Sequence, residues 1–118
     1  MISITLCSGE KGEFLKCKAV GHSGFAKKGC DVVCAAVSVL MRTAVLALEE
    51  KCMFDDALKV ALLHQERGDM EVEVLQYGEA SLEYLIFLFG FLKLGFQSLM
   101  SEYPEFVKLE CLVCNKKK

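Results

Sequence analysis

The sequence has little net charge, no long unbroken apolar run, no internal repeat and no linker-like segment. Fourteen Lys and Arg stand against 16 Asp and Glu, a net charge of −2. That balance lacks the basic footprint of a nucleic-acid-binding surface and selects no strongly charged partner. The longest apolar stretch of the second half, Tyr84 to Leu92, is ended by Lys93, and Glu83 and Gln97 punctuate Leu82 to Met100. A membrane-spanning helix takes about 20 predominantly apolar residues, so this segment reads as a buried helix and no membrane partner is expected. The opening Met1-Ile2-Ser3-Ile4-Thr5-Leu6 has no basic region and does not read as a secretory signal. Cysteine is plentiful, but the seven thiols (Cys7, Cys17, Cys30, Cys34, Cys52, Cys111 and Cys114) are odd in number and loosely spread, unlike a disulfide framework. A reducing, cytoplasmic setting with free thiols is the expectation.

What is present fits one domain over residues 1–118. A chain of this length buries roughly 65% of the surface its unfolded form exposes, enough for a core without metal or disulfide staples. Hydrophobic residues make up 53% and charged residues 25%, a globular composition. Ile2 to Ser8 and Glu13 to Val20 read as strands joined by the turn Gly9-Glu10-Lys11-Gly12, a hairpin. Gly21, Gly24 and Gly29 mark the next stretch as a mobile loop. Val33, Ala36, Val37, Leu40, Ala44 and Leu48 recur at helical spacing, predicting a helix over Val33 to Glu50, with Asp31 as its N-cap. Asp56 to His64 and Met70 to Gln76 read as strands around Glu66-Arg67-Gly68-Asp69. Ala80 to Ser101 reads as a second helix, apolar almost all round and so covered on more than one side. Pro104 separates it from a last strand, Phe106 to Val113. The order is β-β-α-β-β-α-β, an α+β fold with both helices on one face of a mostly antiparallel sheet. The excess apolar surface of the second helix points to a homodimer.

Chemistry concentrates between Gly21 and Ser38. With Asp31 as N-cap, Cys34 falls at the third helical position, where unsatisfied N–H groups and the helix dipole favour a thiolate. His22 lies across a glycine-rich loop that returns to this helix, so loop closure can bring its imidazole to the sulfur, the pairing an acyl-transfer nucleophile needs. Backbone N–H groups near Cys34 can hold a tetrahedral oxyanion. Ser38 is one turn beyond Cys34, on the same face. Asp31 can orient His22, although capping explains it equally well. From spacing alone the alternatives stay open: a cysteine near a helix start is more often a small buried hydrophobe, and a histidine after a strand is usually hydrogen-bonded surface.

One pattern is specific: Gly21-His22-Ser23, a glycine-containing loop, then Gly29-Cys30-Asp31-Val32-Val33-Cys34-Ala35-Ala36-Val37-Ser38. Here the sequence resembles the ribosomal-processing cysteine protease family, and the order and size of its elements fit that family over nearly the whole chain. The resemblance implies a homodimeric cysteine protease that removes a short N-terminal extension from large-subunit ribosomal protein twenty-seven, cutting after a phenylalanine-containing motif. It implies no cofactor, no metal and no direct contact with nucleic acid. His22 and Cys34 match the family's catalytic pair, and Asp31 and Ser38 match in position. Ser23 stands where alanine is commoner, Cys30 adds a second thiol beside the nucleophile, and Cys111-x-x-Cys114 with the lysine tail falls outside the pattern.

Three other readings compete. One is a non-catalytic ribosome-associated module that only holds a peptide. Another is a redox protein using Cys30 and Cys34, which lacks the Cys-x-x-Cys of thioredoxin-like motifs. The third is a zinc site made of Cys30, Cys34, Cys111 and Cys114, whose spacing is unlike the usual zinc ribbons. Phe25, an aromatic in the loop, can contact substrate or pin the loop to the sheet. Lys27 and Lys28 read as a solvated pair and His64 as a solvated residue. Cys7 and Cys17 read as hairpin residues, Cys52 as lying just past the first helix, and Glu49, Glu50, Asp55 and Asp56 as an acidic surface patch.

Overall fold

A computed structural model describes residues 1–21, 30–66 and 68–114, with Cys30 described by its backbone alone. The chain runs β1 (Ile2–Ser8), β2 (Phe14–Val20), α1 (Cys30–Phe54), β3 (Lys59–Glu66), β4 (Asp69–Gln76), a 3₁₀ turn (Glu79–Ser81), α2 (Leu82–Glu102) and β5 (Val107–Val113). This is the expected α+β order. The five strands lie in the order β3-β4-β2-β1-β5. All neighbours are antiparallel except β1 and β5, as the helical crossover before β5 allows.

Period-two alternation gives the sheet one apolar face. Ile4 pairs with Ala19 and Leu6 with Cys17 across the hairpin, and Cys17 pairs with Val72. All are buried in a single core cluster with the inward rows of both helices. In α1 that row is Val33, Val37, Met41, Ala44 and Leu48; in α2 it is Leu85, Leu88, Leu92 and Phe96. The other face is polar, and Lys16 and Glu71 form an ion pair across it at 3.0 Å. The β1–β2 turn closes on Glu13, whose carboxylate accepts the Lys11 N–H at 3.0 Å and the Tyr77 hydroxyl. Burial pushes its pKa up, but these hydrogen bonds and one from its own backbone outweigh burial and hold it below the ordinary value. Burial first, then the same pairing, push the Tyr77 hydroxyl up to about 12.

Several local expectations are corrected. Helix α1 begins at Cys30, so Asp31 lies inside its first turn and is not the N-cap. It runs to Phe54 rather than Glu50, which puts Cys52 in the last turn, its thiol donating to the Leu58 carbonyl at 3.4 Å. Strand β3 starts at Lys59 because Asp55 makes a turn first. Its carboxylate accepts the Ala57 N–H at 3.0 Å and the Ser81 hydroxyl, while its carbonyl accepts the Leu58 N–H at 3.1 Å. Asp55 therefore holds a turn and is not only part of a solvated acidic patch. Helix α2 is not covered all round: Phe87, Phe91 and Leu94 are exposed, and the Phe87 and Phe91 rings stack at 5.9 Å. Both helices, not only the second, are long and apolar enough to cross a membrane, with 18-residue stretches of mean hydropathy 1.9 within Asp31–Phe54 and 1.4 within Glu79–Glu102. Each nevertheless lays its inward row on the sheet.

Candidate active site

The site is built where β2 ends. Gly21 follows Val20 with φ +115°, a left-handed region that β-carbons disfavour. Its N–H donates to the Gly68 carbonyl at 2.9 Å. A β-carbon there would fall 2.3 Å from the Met1 carbonyl oxygen, so only glycine fits against the start of β1. Gly21 thus ties three strand ends together just before His22 in the sequence.

Beneath these ends lies a cavity of about 20 Å³. The sheet lines it with Ile2, Ala19, Gly21, Gly68 and Met70, and α1 lines it with Cys34, Val37 and Ser38. Its size suits roughly one water molecule. Cys34 is only 7% exposed and belongs to the core cluster. Ser38, half-buried one turn later, lines both this cavity and an adjoining groove of about 380 Å³. Met70 is also shared, and Val39, Arg42 and Gln65 extend the groove outward. Cys34, Ser38 and Arg42 recur every fourth residue and so share one helix face.

The start of α1 changes the electrostatics expected at Cys34. A helix beginning at Cys30 places Cys34 fifth, so its own N–H bonds back to the Cys30 carbonyl. The open N–H groups precede it, and the dipole acts chiefly within the first turn. An oxyanion hole therefore cannot use the Cys34 N–H without breaking the helix. Asp31 is exposed in that first turn, where a carboxylate complements the dipole. His22, Phe25, Lys27, Lys28, the Cys30 side chain and the tail 115–118 lie outside the described residues, and with them the His22–Cys34 pairing and any Cys30–Cys34 contact.

The remaining thiols sit elsewhere. Cys17 is in the core and donates to the Met41 sulfur at 3.3 Å. Burial pushes its pKa far up, assisted by nearby Cys7 and Cys111. Cys7 lies across from Lys16 and Leu112. Burial first, then the Cys114 thiol, raise its pKa to about 11. Cys111 pairs with Leu6, four residues along β1 from Ile2 at the Cys34 cavity, roughly 13 Å at the rise of a strand. That separation sets Cys111 apart from Cys34, against the four-cysteine zinc site, whose fourth thiol, Cys30, lies outside the described side chains. His64 is half exposed, 4.0 Å from Asp69. The sequence reading did not single out Ile2, Ala19, Gly68 and Met70 as lining residues. Strand pairing brings them together from three segments, and the one local signal was the glycine before the histidine.

The family model of cysteine protease Prp matches residues 1–108. No curated protein matches the chain. A Streptococcus mutans protein of solved structure is 30% identical, with a TM-score of 0.76 over 97% of this chain and 96% of that one. An essential ribosomal processing protease Prp from S. aureus, in complex with a substrate peptide, is 16% identical, with a TM-score of 0.73 over 94% of this chain and 99% of that one. The S. aureus protease with a covalently linked product peptide matches at 17% identity and a TM-score of 0.70, again over 94% and 99%. At such identities the two S. aureus structures share the fold with this chain.

Proposed function

The chain belongs to the cysteine protease Prp family and is a cysteine protease; on that premise we propose that Cys34 is its nucleophile, His22 its general base, and the N-terminal extension of large-subunit ribosomal protein twenty-seven its substrate. The enzyme works as a homodimer in the cytoplasm, as one domain over 1–118, with no cofactor.

The observation that carries this reading is Cys34 at a cavity that Gly21 also lines. His22 is the residue after Gly21 in the sequence, which supports it as the base. His22 takes the Cys34 proton and the sulfur attacks the scissile carbonyl carbon. The carbonyl π pair moves onto oxygen. As that pair returns, the C–N bond breaks, His22 protonates the departing amine, and a thioester remains. Water, deprotonated by His22, then attacks the thioester, and the thiol leaves with its proton restored. Ser38 supports the reading as a hydroxyl at the mouth of both hollows, with Asp31 and Phe25 as orienting or substrate-contacting residues. The cavity holds only one water, so acylation requires it to widen toward the groove.

The test is mass spectrometry of a peptide covering the N-terminus of this organism's ribosomal protein twenty-seven. A single cut by the reduced wild type, lost in both Cys34→Ala and His22→Ala, is the expected outcome. Tight binding without any cut would replace the enzyme mechanism by the peptide-holding module.

A further inference from the structure

We propose that the bare face of α1 is where two copies of this chain pair, antiparallel about Leu46, with Arg42 of each reaching Glu49 of the other. The proposal rests on the homodimer reading above and assigns its surface.

Besides Phe54 at its end, four large apolar side chains on α1 face solvent: Val32 at 59% exposure, Val39 at 53%, Leu46 at 64% and Met53 at 78%. They recur every seventh residue. Seven residues are almost two helical turns, so they form one row, drifting by only about 20° per repeat. A row of this kind is the seam of a helix pair, and a soluble surface rarely leaves it bare.

Charge decides the partner and the direction. Arg42 and Glu49 are themselves seven apart and flank this row on one side. The ion pairs among the described residues are Lys16–Glu71 and His64–Asp69, so neither Arg42 nor Glu49 is in an ion pair there. A parallel pair would carry the partner's Arg42 and Glu49 to the opposite flank of the seam, out of reach of these two. An antiparallel pair centred on Leu46 sets Leu46 against the partner's Leu46 and Val39 against the partner's Met53. It also brings Arg42 within one residue, a rise of about 1.5 Å, of level with the partner's Glu49 on the same flank. The two-fold axis makes that contact twice, as an isologous interface requires. A hollow of about 580 Å³ beside Leu46, walled by Thr43, Ala47, Glu50 and Met53, is open to an incoming apolar side chain. The exposed row on α2 (Phe87, Phe91, Leu94) offers no such match, because Glu83 flanks it and Lys93 points off it. Val39 and Arg42 also line the groove beside Cys34, so pairing adds the partner's Met53 to the wall of that groove.

The experiment is sedimentation equilibrium of the whole chain in reducing buffer at micromolar concentration, with melting curves as the folding control. A dimer is expected, at least tenfold weakened by Leu46→Glu and by Arg42→Glu, with pairing recovered in the Arg42→Glu/Glu49→Arg double variant. A wild-type monomer would overturn the homodimer reading and this surface together. A dimer indifferent to the α1 variants but broken by Phe87→Glu and Leu94→Glu would overturn this surface alone.

Discussion

Cys17 and Cys34 are both buried thiols between the sheet and α1. Cys17 meets Met41, seven residues after Cys34 on the helix, a rise of about 10 Å. What separates them is their surroundings. Cys17 sits mid-strand among close-packed apolar side chains, its thiol donating to a thioether, and burial pushes its pKa far up. Cys34 sits where three strand ends meet, beside a cavity floored by two glycines and bordered by a hydroxyl. Burial alone therefore does not separate the proposed nucleophile from a structural thiol; free volume and the polar groups around each do.

The largest expected effect tests that contrast at the thiols themselves. Cys34→Ala should lower kcat by at least ~10³-fold with little loss of stability, since loss of a nucleophile removes the covalent path. Cys17→Ser should do the opposite, costing about 1–3 kcal/mol for a poorly satisfied buried hydroxyl while sparing kcat per folded molecule. Denaturant titration beside single-turnover assays separates the two, and an active Cys34→Ala would dissolve the distinction.

Gly21→Ala comes next. Its β-carbon would meet the Met1 carbonyl at 2.3 Å in a left-handed backbone, at a cost of about 1–3 kcal/mol. Its effect on kcat should exceed that of the stability-matched Cys17→Ser at least tenfold, because it displaces the segment carrying His22. Equal effects on kcat would mean that the strand end is only scaffold.

Acid stability sharpens the same comparison at the opposite end of the hairpin. Glu13 has a folded pKa below its ordinary value. Its contribution is therefore full above an unfolded value of about 4.3 and is lost as pH falls through the lower folded value. Tyr77→Phe should cost about 1–2 kcal/mol at pH 7 and flatten the acid limb of stability against pH, leaving kcat unchanged. An unaltered acid limb would deny the Tyr77–Glu13 bond its role. The smallest effect is expected for Ser38→Ala, a several-fold change in kcat/KM with unchanged melting, read by progress curves on the same peptide.

Much of this was legible in the sequence, and the failures have physical causes. Period-two and helical patterns gave all seven elements in order, since one buried face imposes them locally. The start of α1 was misplaced because glycine and aspartate are both acceptable cap residues, so residue type did not fix the register. The start of β3 was misplaced because the Asp55 turn depends on Ser81, which lies far along the chain. At the site, the fourfold spacing of Cys34 and Ser38 was readable. The floor made by Ile2, Ala19, Gly68 and Met70 was not, because it exists only once β1, β2 and β4 are in register.

The most direct measurement is covalent trapping. A chloromethyl ketone peptide carrying the residues before the cut would be reacted with the native chain, and the adduct located by peptide mapping. A single adduct on Cys34, lost in His22→Ala, is predicted. An adduct on Cys30, or on any other thiol with Cys34 unmodified, would contradict the account.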